Sequence, residues 1–345
     1  MKNTAVFLIL LLGLISCQES KNNAYNVGQQ SITYTDESRN RPLPTEIWYP
    51  TLDTITNTSL ETKNKPLFKT IPTIPNARMV NEKFPLLMVS HGTGGSRFSL
   101  TWFIEKMVKE GYIVVSLDHY GNSTFNKIPR EFVKWWERAI DVQYVLTQVL
   151  EDPKFGKQID TSRIGGVGFS LGGYTNIALA GGYVDRSMPK NGNDESRVLP
   201  AEFPDTDEVI DFENDSLIVA SYHQYKDLVK DERIKSFFVM APAIGFGFHS
   251  KAQTAKITAP VYIVAGKGDT TAPVKSNAEK FDSLIDTSTL HLYNAQVGHY
   301  VFLNEATEFG KEILPAIAVD HETVNRKNIH EETLQLAIDF FKKTL

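Results

Sequence analysis

Short apolar runs alternate with stretches of helical spacing along most of the chain. The runs that predict strands lie at 31–35, 46–49, 85–90, 112–117, 163–168, 236–241, 261–265 and 289–293. Apolar positions with helical spacing predict helices at 100–109, 130–150 and 331–343. This alternation predicts an α/β fold, with a mostly parallel sheet of about eight strands and helices on both faces.

The first 16 residues predict a signal peptide. Lys2 supplies a positive charge, and residues 5–15 form a small or apolar run that is too short to span a bilayer comfortably. The run ends in Leu-Ile-Ser-Cys at 14–17, which resembles a bacterial lipobox, the motif that directs a lipid onto its cysteine. Residues 17–30 are largely polar and predict a tether.

These features predict an exported protein of the bacterial cell envelope. We expect a lipid on Cys17 to anchor it at the periplasmic face or at the cell surface, so that the protein sits on a membrane without spanning it. The alternative is an ordinary secretory signal with an incidental cysteine.

The rest of the chain has the composition of a globular protein. Of its residues, 41% are hydrophobic and 22% charged, so 31–345 can form a single domain with a large core. Cys17 is the only cysteine, which excludes an internal disulfide. The formal net charge is −5 and no dense cluster of Lys and Arg is present, so nucleic acid is not an expected partner. The sequence leaves the oligomeric state open.

Residues 182–230 interrupt the alternation of strands and helices. The stretch is polar and holds 11 Asp and Glu against 5 Lys and Arg, a local charge of about −6. An insertion here would lie over the carboxyl ends of the strands as a lid. The alternative is a solvated loop with a short helix at 216–230.

A Gly-x-Ser-x-Gly motif at 168–172 carries the clearest chemical signal. It follows a predicted strand and precedes a predicted helix, which is the context of a nucleophile elbow. In such an elbow a strained turn lifts the hydroxyl of Ser170 above the sheet, and the flanking glycines avoid collisions between Cβ atoms. Ser170 is therefore the candidate nucleophile.

A serine nucleophile needs a base, and in this fold the acid and then the histidine follow it in the chain. Asp269 comes directly after the strand 261–265, and His299 follows the strand 289–293. We expect His299 to act as general base and then general acid, with Asp269 holding its tautomer and stabilising the imidazolium.

Other acids and histidines fit less well. Residues 241–244, where some hydrolases of this fold carry the acid, hold no carboxylate, and Asp118 precedes Ser170 in the chain. His291 lies within a predicted strand, where a structural role is expected. His321 and His330 fall in the polar C-terminal region, where solvent exposure is expected.

Residues 90–96, Ser-His-Gly-Thr-Gly-Gly-Ser, predict an oxyanion loop after the strand 85–90. Glycines let the backbone approach the substrate closely and direct an N–H toward it. The expected donors are the N–H groups of Thr93 and Leu171, and His91 is expected to hold the loop. A phosphate-binding loop is the alternative, but no Gly-Lys-Ser/Thr follows.

Several segments together resemble one branch of the α/β-hydrolases, the one that includes dienelactone-hydrolase-like and platelet-activating-factor-acetylhydrolase-like enzymes. They lie in the family's order at 48–50, 91–97, 118–122, 168–173 and 298–303. The resemblance implies hydrolysis of carboxylic esters through an acyl-enzyme without a cofactor. The chain departs from the pattern in having no cysteine nucleophile and no acid at 241–243, so the resemblance implies a reaction class and not a substrate.

The leading prediction is a serine hydrolase that cleaves a small or short-acyl carboxylic ester. An amidase or peptidase would use the same three side chains. A binding lipoprotein that keeps the scaffold without catalysis is the alternative from another class, because a fold does not fix a function.

Overall fold

One mixed sheet organises the protein, which we describe from a computed structural model over residues 25–54, 65–186, 202–207 and 210–345. The strands in chain order are β1 (Asn26–Asp36), β2 (Arg41–Thr51), β3 (Ile74–Pro75), β4 (Phe84–Ser90), β5 (Ile113–Leu117), β6 (Asn122–Ser123), β7 (Asn126–Lys127), β8 (Ile159–Phe169), β9 (Ser236–Met240), β10 (Val261–Gly266) and β11 (Ser288–Tyr293). Nine of these described strands form the sheet in the order β11-β10-β9-β8-β4-β5-β2-β1-β3, and β6 and β7 form a separate hairpin.

Helices cover both faces of the sheet. In chain order the described helices are α1 (Thr101–Lys109), α2 (Pro129–Phe132), α3 (Glu137–Glu151), α4 (Leu171–Ala180), α5 (Ser216–Tyr225), α6 (Ala278–Leu284), α7 (Glu308–Ile313), α8 (Pro315–Ala318) and α9 (Arg326–Thr344). Within the described residues, none of these helices is both long and apolar enough to cross a bilayer.

Strand β4, in the middle of the sheet, is almost entirely apolar because each of its faces meets a separate core. In β4, Leu86 and Met88 belong to the core beneath α3 and α4, whereas Leu87 and Val89 belong to the core beneath α1 and α9. All seven residues of β4 are buried. Alternate side chains of a strand point to opposite faces, so a strand covered on both sides reads as one continuous apolar run.

The strands that precede the candidate site residues are parallel. The pairs β4–β5, β4–β8, β8–β9, β9–β10 and β10–β11 all run in the same direction. Parallel strands end at the same edge of a sheet, and ligands of such sheets bind outside their carboxyl ends. The predicted α/β architecture is confirmed, and the strand beyond the eight predicted ones is the two-residue β3.

The predicted boundary between the tether and the folded domain was wrong. The tether was predicted to reach residue 30, but β1 begins at Asn26, and its first residues pair with β2 from Asn26 opposite Thr51 to Gln30 opposite Ile47. Backbone hydrogen bonds form this pairing, so the polar side chains of the segment gave no strand signal. The predicted signal peptide at 1–16 and the predicted lipid site Cys17 lie outside the described residues.

The helix predicted at 130–150 is broken into α2 and α3. The intervening turns carry hydrogen bonds from residue i to residue i−3, including Lys134 N–H to the carbonyl of Glu131 and Glu137 N–H to the carbonyl of Lys134. Trp136, the last residue of this break, is buried, and its indole N–H donates to the hydroxyl of Ser221 at 2.8 Å. The break therefore supports a tertiary contact that helical spacing does not reveal.

The 182–230 stretch is described at 182–186, 202–207 and 210–230. Its helix α5 ends at Tyr225, five residues earlier than the alternative reading predicted. The carboxylate of Asp215 caps this helix by accepting from the N–H groups of Leu217 and Ile218. Glu202, Ile210 and Phe212 line the large cavity described below, so part of the stretch lies where a lid was predicted.

Candidate active site

Ser170 lies in a strained turn between β8 and α4. Its φ of 56° and ψ of −120° place it in the left-handed half of backbone space, which favours glycine. The neighbouring strand holds the turn, because the Ser170 N–H donates to the carbonyl of Met240 at 2.9 Å and its carbonyl accepts from the N–H of Ala243 at 3.1 Å. The loop after β9 thus supports the elbow although it carries no carboxylate.

The glycines of the motif are required by close backbone approach. A Cβ on Gly168 would lie 2.0 Å from the carbonyl oxygen of Gly172, and one on Gly172 would lie 1.9 Å from the carbonyl oxygen of Ser90. These separations are far below van der Waals contact. The packing that the motif predicted is therefore present, and it brings β4 and its loop against the start of α4.

Ser170, His299 and Asp269 form one hydrogen-bonded chain. The Nε2 atom of His299 lies 2.9 Å from the hydroxyl oxygen of Ser170, and its Nδ1 atom lies 2.6 Å from Oδ2 of Asp269. All three residues are at least nine-tenths buried. The structure thus brings together the three side chains that the sequence singled out.

Backbone donors fix the orientation of the Asp269 carboxylate. Its Oδ1 atom accepts from the N–H groups of Thr271 at 2.9 Å and Ala272 at 2.6 Å, which leaves Oδ2 for His299. A carboxylate oxygen can only accept from Nδ1 of a neutral ring, so that nitrogen carries the proton and Nε2 is free to accept from Ser170.

A short 3-10 helix, His299–Phe302, carries the histidine and is fixed from two sides. The indole N–H of Trp102 in α1 donates to the carbonyl of Phe302 at 2.8 Å. The Nε2–H of His330 in α9 donates to the carbonyl of Val301 at 2.7 Å, and the His330 ring stacks on Trp102 with centroids 3.8 Å apart.

The prediction that His330 is solvent-exposed was wrong. The residue is 5% exposed, and burial lowers the pKa of its imidazole to about 4. Helix α9 begins at Arg326 rather than at 331, so His330 shares the buried face of Thr333, Ala337 and Phe341. That spacing of three, four and four residues was the signal available in the sequence.

The predicted oxyanion donors lie beside the nucleophile. Thr93 and Leu171 line the same cavity as Ser170 and His299, and within the described chain neither backbone N–H is engaged by another residue. His91 holds the loop as expected, since its Nδ1 lies 2.7 Å from the carbonyl oxygen of Gly92. The arrangement leaves two N–H groups available to a ligand next to the serine hydroxyl.

The competing side chains lie elsewhere. Asp118 is occupied by Arg97, which approaches it with both its backbone N–H and its guanidinium. His291 lies in β11 with its Nε2 3.3 Å from Glu332, and His321 contacts Thr323 in an exposed turn. Among the described residues, no group of three or more His, Cys, Asp or Glu is arranged to hold a metal ion.

The serine and histidine open into a cavity of about 2020 Å³. One apolar group in its lining consists of aromatic side chains in mutual contact, with Trp135 lying 5.3 Å from Phe212 and 5.6 Å from Phe246 between ring centroids. A second apolar group comes from other parts of the chain, namely Leu67, Phe68, Ile71, Leu303, Leu314 and Ile317. The cavity therefore offers apolar surface from two separate regions around one hydroxyl.

The chain is similar to a known family and to a known protein. A family model described as platelet-activating factor acetylhydrolase, isoform II, matches residues 34–130, which include the oxyanion loop and end before Ser170. The cutinase Est1 of Thermobifida alba is 24% identical over 233 residues, which are 68% of this chain and 56% of that protein. The chain thus matches little more than half the length of this curated relative.

A solved structure shares the architecture over nearly the whole chain. It is described as a ferulic acid esterase from Streptomyces cinnamoneus, and it matches with a TM-score of 0.60 at 18% sequence identity. The match covers 93% of this chain and 90% of the other. The chain has the α/β-hydrolase fold.

Proposed function

We propose that the protein is a serine-dependent carboxylic ester hydrolase that works through an acyl-enzyme. The observation that carries the proposal is the unbroken chain from Asp269 through His299 to the Ser170 hydroxyl, at 2.6 and 2.9 Å, beside two available N–H groups. The similarity to a family described as an acetylhydrolase, to a cutinase and to a ferulic acid esterase supports the same reaction class.

In the acylation step the Ser170 oxygen attacks the ester carbonyl carbon while Nε2 of His299 takes the hydroxyl proton. The carbonyl oxygen becomes an oxyanion that the N–H groups of Thr93 and Leu171 stabilise. The tetrahedral intermediate then collapses, and the imidazolium gives its proton to the departing alcohol. Asp269 stabilises that imidazolium through Nδ1 without taking its proton.

Deacylation repeats the same steps with water. The neutral His299 takes a proton from a water molecule, whose oxygen attacks the acyl carbon in the place that the alcohol has left. The second tetrahedral intermediate releases the carboxylic acid and returns the proton to Ser170. His299 passes the first proton to the alcohol and the second to Ser170, so each cycle consumes only the ester and one water molecule.

The cavity favours esters larger than the short-acyl substrates predicted from the sequence. Ligand pockets are usually about 300–1,000 Å³, and this cavity of about 2020 Å³ is lined by apolar residues of two regions. We expect apolar acyl or alcohol groups to gain affinity there by leaving water. Chromogenic esters of increasing acyl length test the size of the acyl group that the cavity accepts. Peptide anilides, compared with these esters, test the preference for esters over amides.

Covalent labelling tests the reaction class directly. A fluorophosphonate probe should label the folded protein, and the label should disappear in Ser170→Ala. A matched control is Ser283→Ala, which changes an exposed serine whose hydroxyl donates to the carbonyl of Lys280 and should leave labelling unchanged. A folded wild-type protein that neither labels nor hydrolyses any ester of the series would instead indicate a binding lipoprotein.

We further propose that the protein is exported and anchored to a membrane by a lipid on Cys17. The support is the charged, apolar and Leu-Ile-Ser-Cys pattern at 1–17. Cys17→Ser should release the protein from the membrane fraction, whereas Ser16→Ala keeps a small residue before the cysteine and should leave it bound. Equal membrane association of Cys17→Ser and wild type would contradict the anchor.

A further inference from the structure

Arg138 is a buried cation whose hydrogen-bond acceptors are all neutral. It is 3% exposed and lies in α3, behind the oxyanion loop. Its guanidinium donates to the His91 carbonyl, the Ser90 hydroxyl (3.3 Å), the Asn122 side-chain carbonyl (3.3 Å) and the Thr175 hydroxyl (3.1 Å). Burial lowers the pKa of Arg138 to about 9, so the group still carries its charge at neutral pH.

These contacts hold the loop on both sides of Thr93. Before Thr93, the guanidinium binds the carbonyl of His91. After Thr93, the N–H of Gly94 donates to the side-chain oxygen of Asn122 at 2.9 Å, and the same oxygen accepts from Arg138. The Asn122 amide also donates to the carbonyl of Phe132 at 3.0 Å, which fixes its orientation.

The peptide that carries the Thr93 N–H is fixed through its carbonyl end. That carbonyl belongs to Gly92, and it accepts from Nδ1 of His91 at 2.7 Å and from the N–H of Gly95 at 3.2 Å. The backbone N–H of His119 donates to Nε2 of His91 at 3.2 Å, so the proton of the ring must lie on Nδ1. Hydrogen bonds accepted by a carbonyl polarise its peptide and strengthen the N–H as a donor.

From these contacts we propose that Arg138 is a positioning residue for the oxyanion hole, holding the Thr93 N–H toward the substrate and placing a buried positive charge behind it. The proposal rests on the proposed ester hydrolase function. Arg138 touches neither substrate nor reacting atoms, because it acts through His91, Asn122 and their loop.

A positive charge in this place acts selectively on the tetrahedral intermediate. The substrate carbonyl is neutral before attack and carries a full negative charge afterwards, so a fixed charge favours the second state over the first. Solvent screens the interaction weakly because Arg138 is buried, and the orientation of its guanidinium is set before the reaction begins. The buried carboxylate of Asp141 offsets part of this positive charge. The proposal therefore predicts an effect on kcat rather than on KM.

The test compares Arg138→Met and Arg138→Lys with a matched control. Arg233→Met is suitable because Arg233 also donates to a backbone carbonyl, that of Gln143, and to a threonine hydroxyl, that of Thr147. Unlike Arg138, it also pairs with a carboxylate, that of Asp231, and none of these partners belongs to the oxyanion loop. For each variant we would measure kcat and KM on a chromogenic ester. We would also measure the affinity for a trifluoromethyl ketone, which forms an oxyanion on Ser170, and for an ether analogue of the ester, which does not.

In Arg138→Met we expect kcat to fall about 10- to 100-fold, less than or similar to the loss of one direct oxyanion donor. KM and the affinity for the ether should change by less than about threefold, while the affinity for the ketone should fall by the same factor as kcat. Arg138→Lys keeps the charge but not the fork of donors, so its values should lie between those of Arg138→Met and wild type. Arg233→Met should match wild type in all four quantities.

Two results would overturn the proposal. One is unchanged ketone affinity in folded Arg138→Met. The other is an equal loss of ketone and ether affinity, which would mean a merely structural role. If Arg138→Met does not fold, Asn122→Ala, which frees the Gly94 N–H, must show the same selective loss of ketone affinity or the proposal fails. A wild type without turnover or labelling would refute the hydrolase function itself, which is a separate outcome.

Discussion

The Nε2 atom of His299 lies 2.9 Å from the hydroxyl oxygen of Ser170, although the two residues are 129 positions apart in the chain. The approach is possible because β8 and β11 belong to one run of parallel strands whose carboxyl ends share an edge. Ser170 follows β8 directly, and His299 follows β11 after a loop of five residues, 294–298. The order of the strands thus places the base next to the nucleophile.

Asp269→Asn should lower kcat by about 10³- to 10⁴-fold with little loss of stability. The amide can still accept from the N–H groups of Thr271 and Ala272, so the local fold is kept. Its NH₂ group would face His299 and favour a proton on Nε2, where the ring can no longer accept from Ser170. Steady-state kinetics and a thermal melt would measure the two effects.

The control for this substitution is Asp286→Asn. Asp286 is exposed and pairs with Lys251 on the surface, so activity should remain that of wild type. Full activity in Asp269→Asn would show that another group serves His299. A large loss of stability would show instead that the carboxylate mainly holds the fold.

Gly172→Ala should destabilise the protein by about 3 kcal/mol, the upper part of the range for overpacking. The new Cβ would lie 1.9 Å from the carbonyl oxygen of Ser90, and a backbone atom there cannot move without shifting β4. Gly298→Ala is a matched control, because its Cβ would meet only the Gly268 carbonyl oxygen, at 4.0 Å. Chemical denaturation of both variants measures the difference, and equal stabilities would contradict the argument.

The chemistry-bearing residues could be predicted because each follows an apolar strand. Asp269 comes three residues after β10, and the Gly-x-Ser-x-Gly motif marks the end of β8. Local pattern and the order Ser, acid, His were enough for these positions.

The network behind the oxyanion loop could not be predicted in the same way. Arg138 lies on the face of α3 that it shares with Val142, Val145 and Val149, where a charge conflicts with an apolar pattern. Its partners come from β4, the β6 region and α4, so only the tertiary structure shows that the charge is satisfied. The start of β1 was missed for a related reason, because backbone pairing leaves no mark on polar side chains.

Acidification should weaken the fold between about pH 6.5 and pH 4. The neutral His330 is favoured in the native state, with its pKa lowered to about 4, so in this window the unfolded chain binds more protons than the native one. Burial also holds the pKa of His91 and that of His119 well below the ordinary value, with the same sign. The contribution of these neutral histidines to the free energy of unfolding is therefore fully present above pH 6.5 and is lost as the pH falls. For His330 the loss reaches about 3 kcal/mol.

His330→Gln separates the contribution of this ring. Glutamine keeps an N–H donor for the carbonyl of Val301 but does not titrate, so the free energy of unfolding should depend less steeply on pH between 4 and 6.5 than in wild type. His321→Gln, a substitution at an exposed turn, is the control. Parallel slopes for His330→Gln and wild type would mean that His330 titrates alike in the folded and unfolded chains.

Glu202 should disfavour substrates that carry a negative charge. It lines the cavity, and its Oε1 atom accepts from the hydroxyl of Tyr300, the residue that follows His299, at 3.3 Å. A carboxylate on the substrate would approach this charge at a partly buried site. A repulsion of about 1 kcal/mol corresponds to about a fivefold loss of kcat/KM relative to a neutral substrate.

Glu202→Gln should therefore raise kcat/KM for a monoester of a dicarboxylic acid about fivefold, while kcat/KM for the neutral methyl-capped diester changes little. The side chain keeps its shape and its contact with Tyr300, so the ratio of the two substrates isolates the charge. Added salt should narrow the difference in wild type, because partly exposed charges are screened. The control is Glu308→Gln, on an exposed helix outside this cavity, which should keep the wild-type ratio of the two kcat/KM values. A wild-type ratio in Glu202→Gln would show that the carboxylate of Glu202 does not face the substrate.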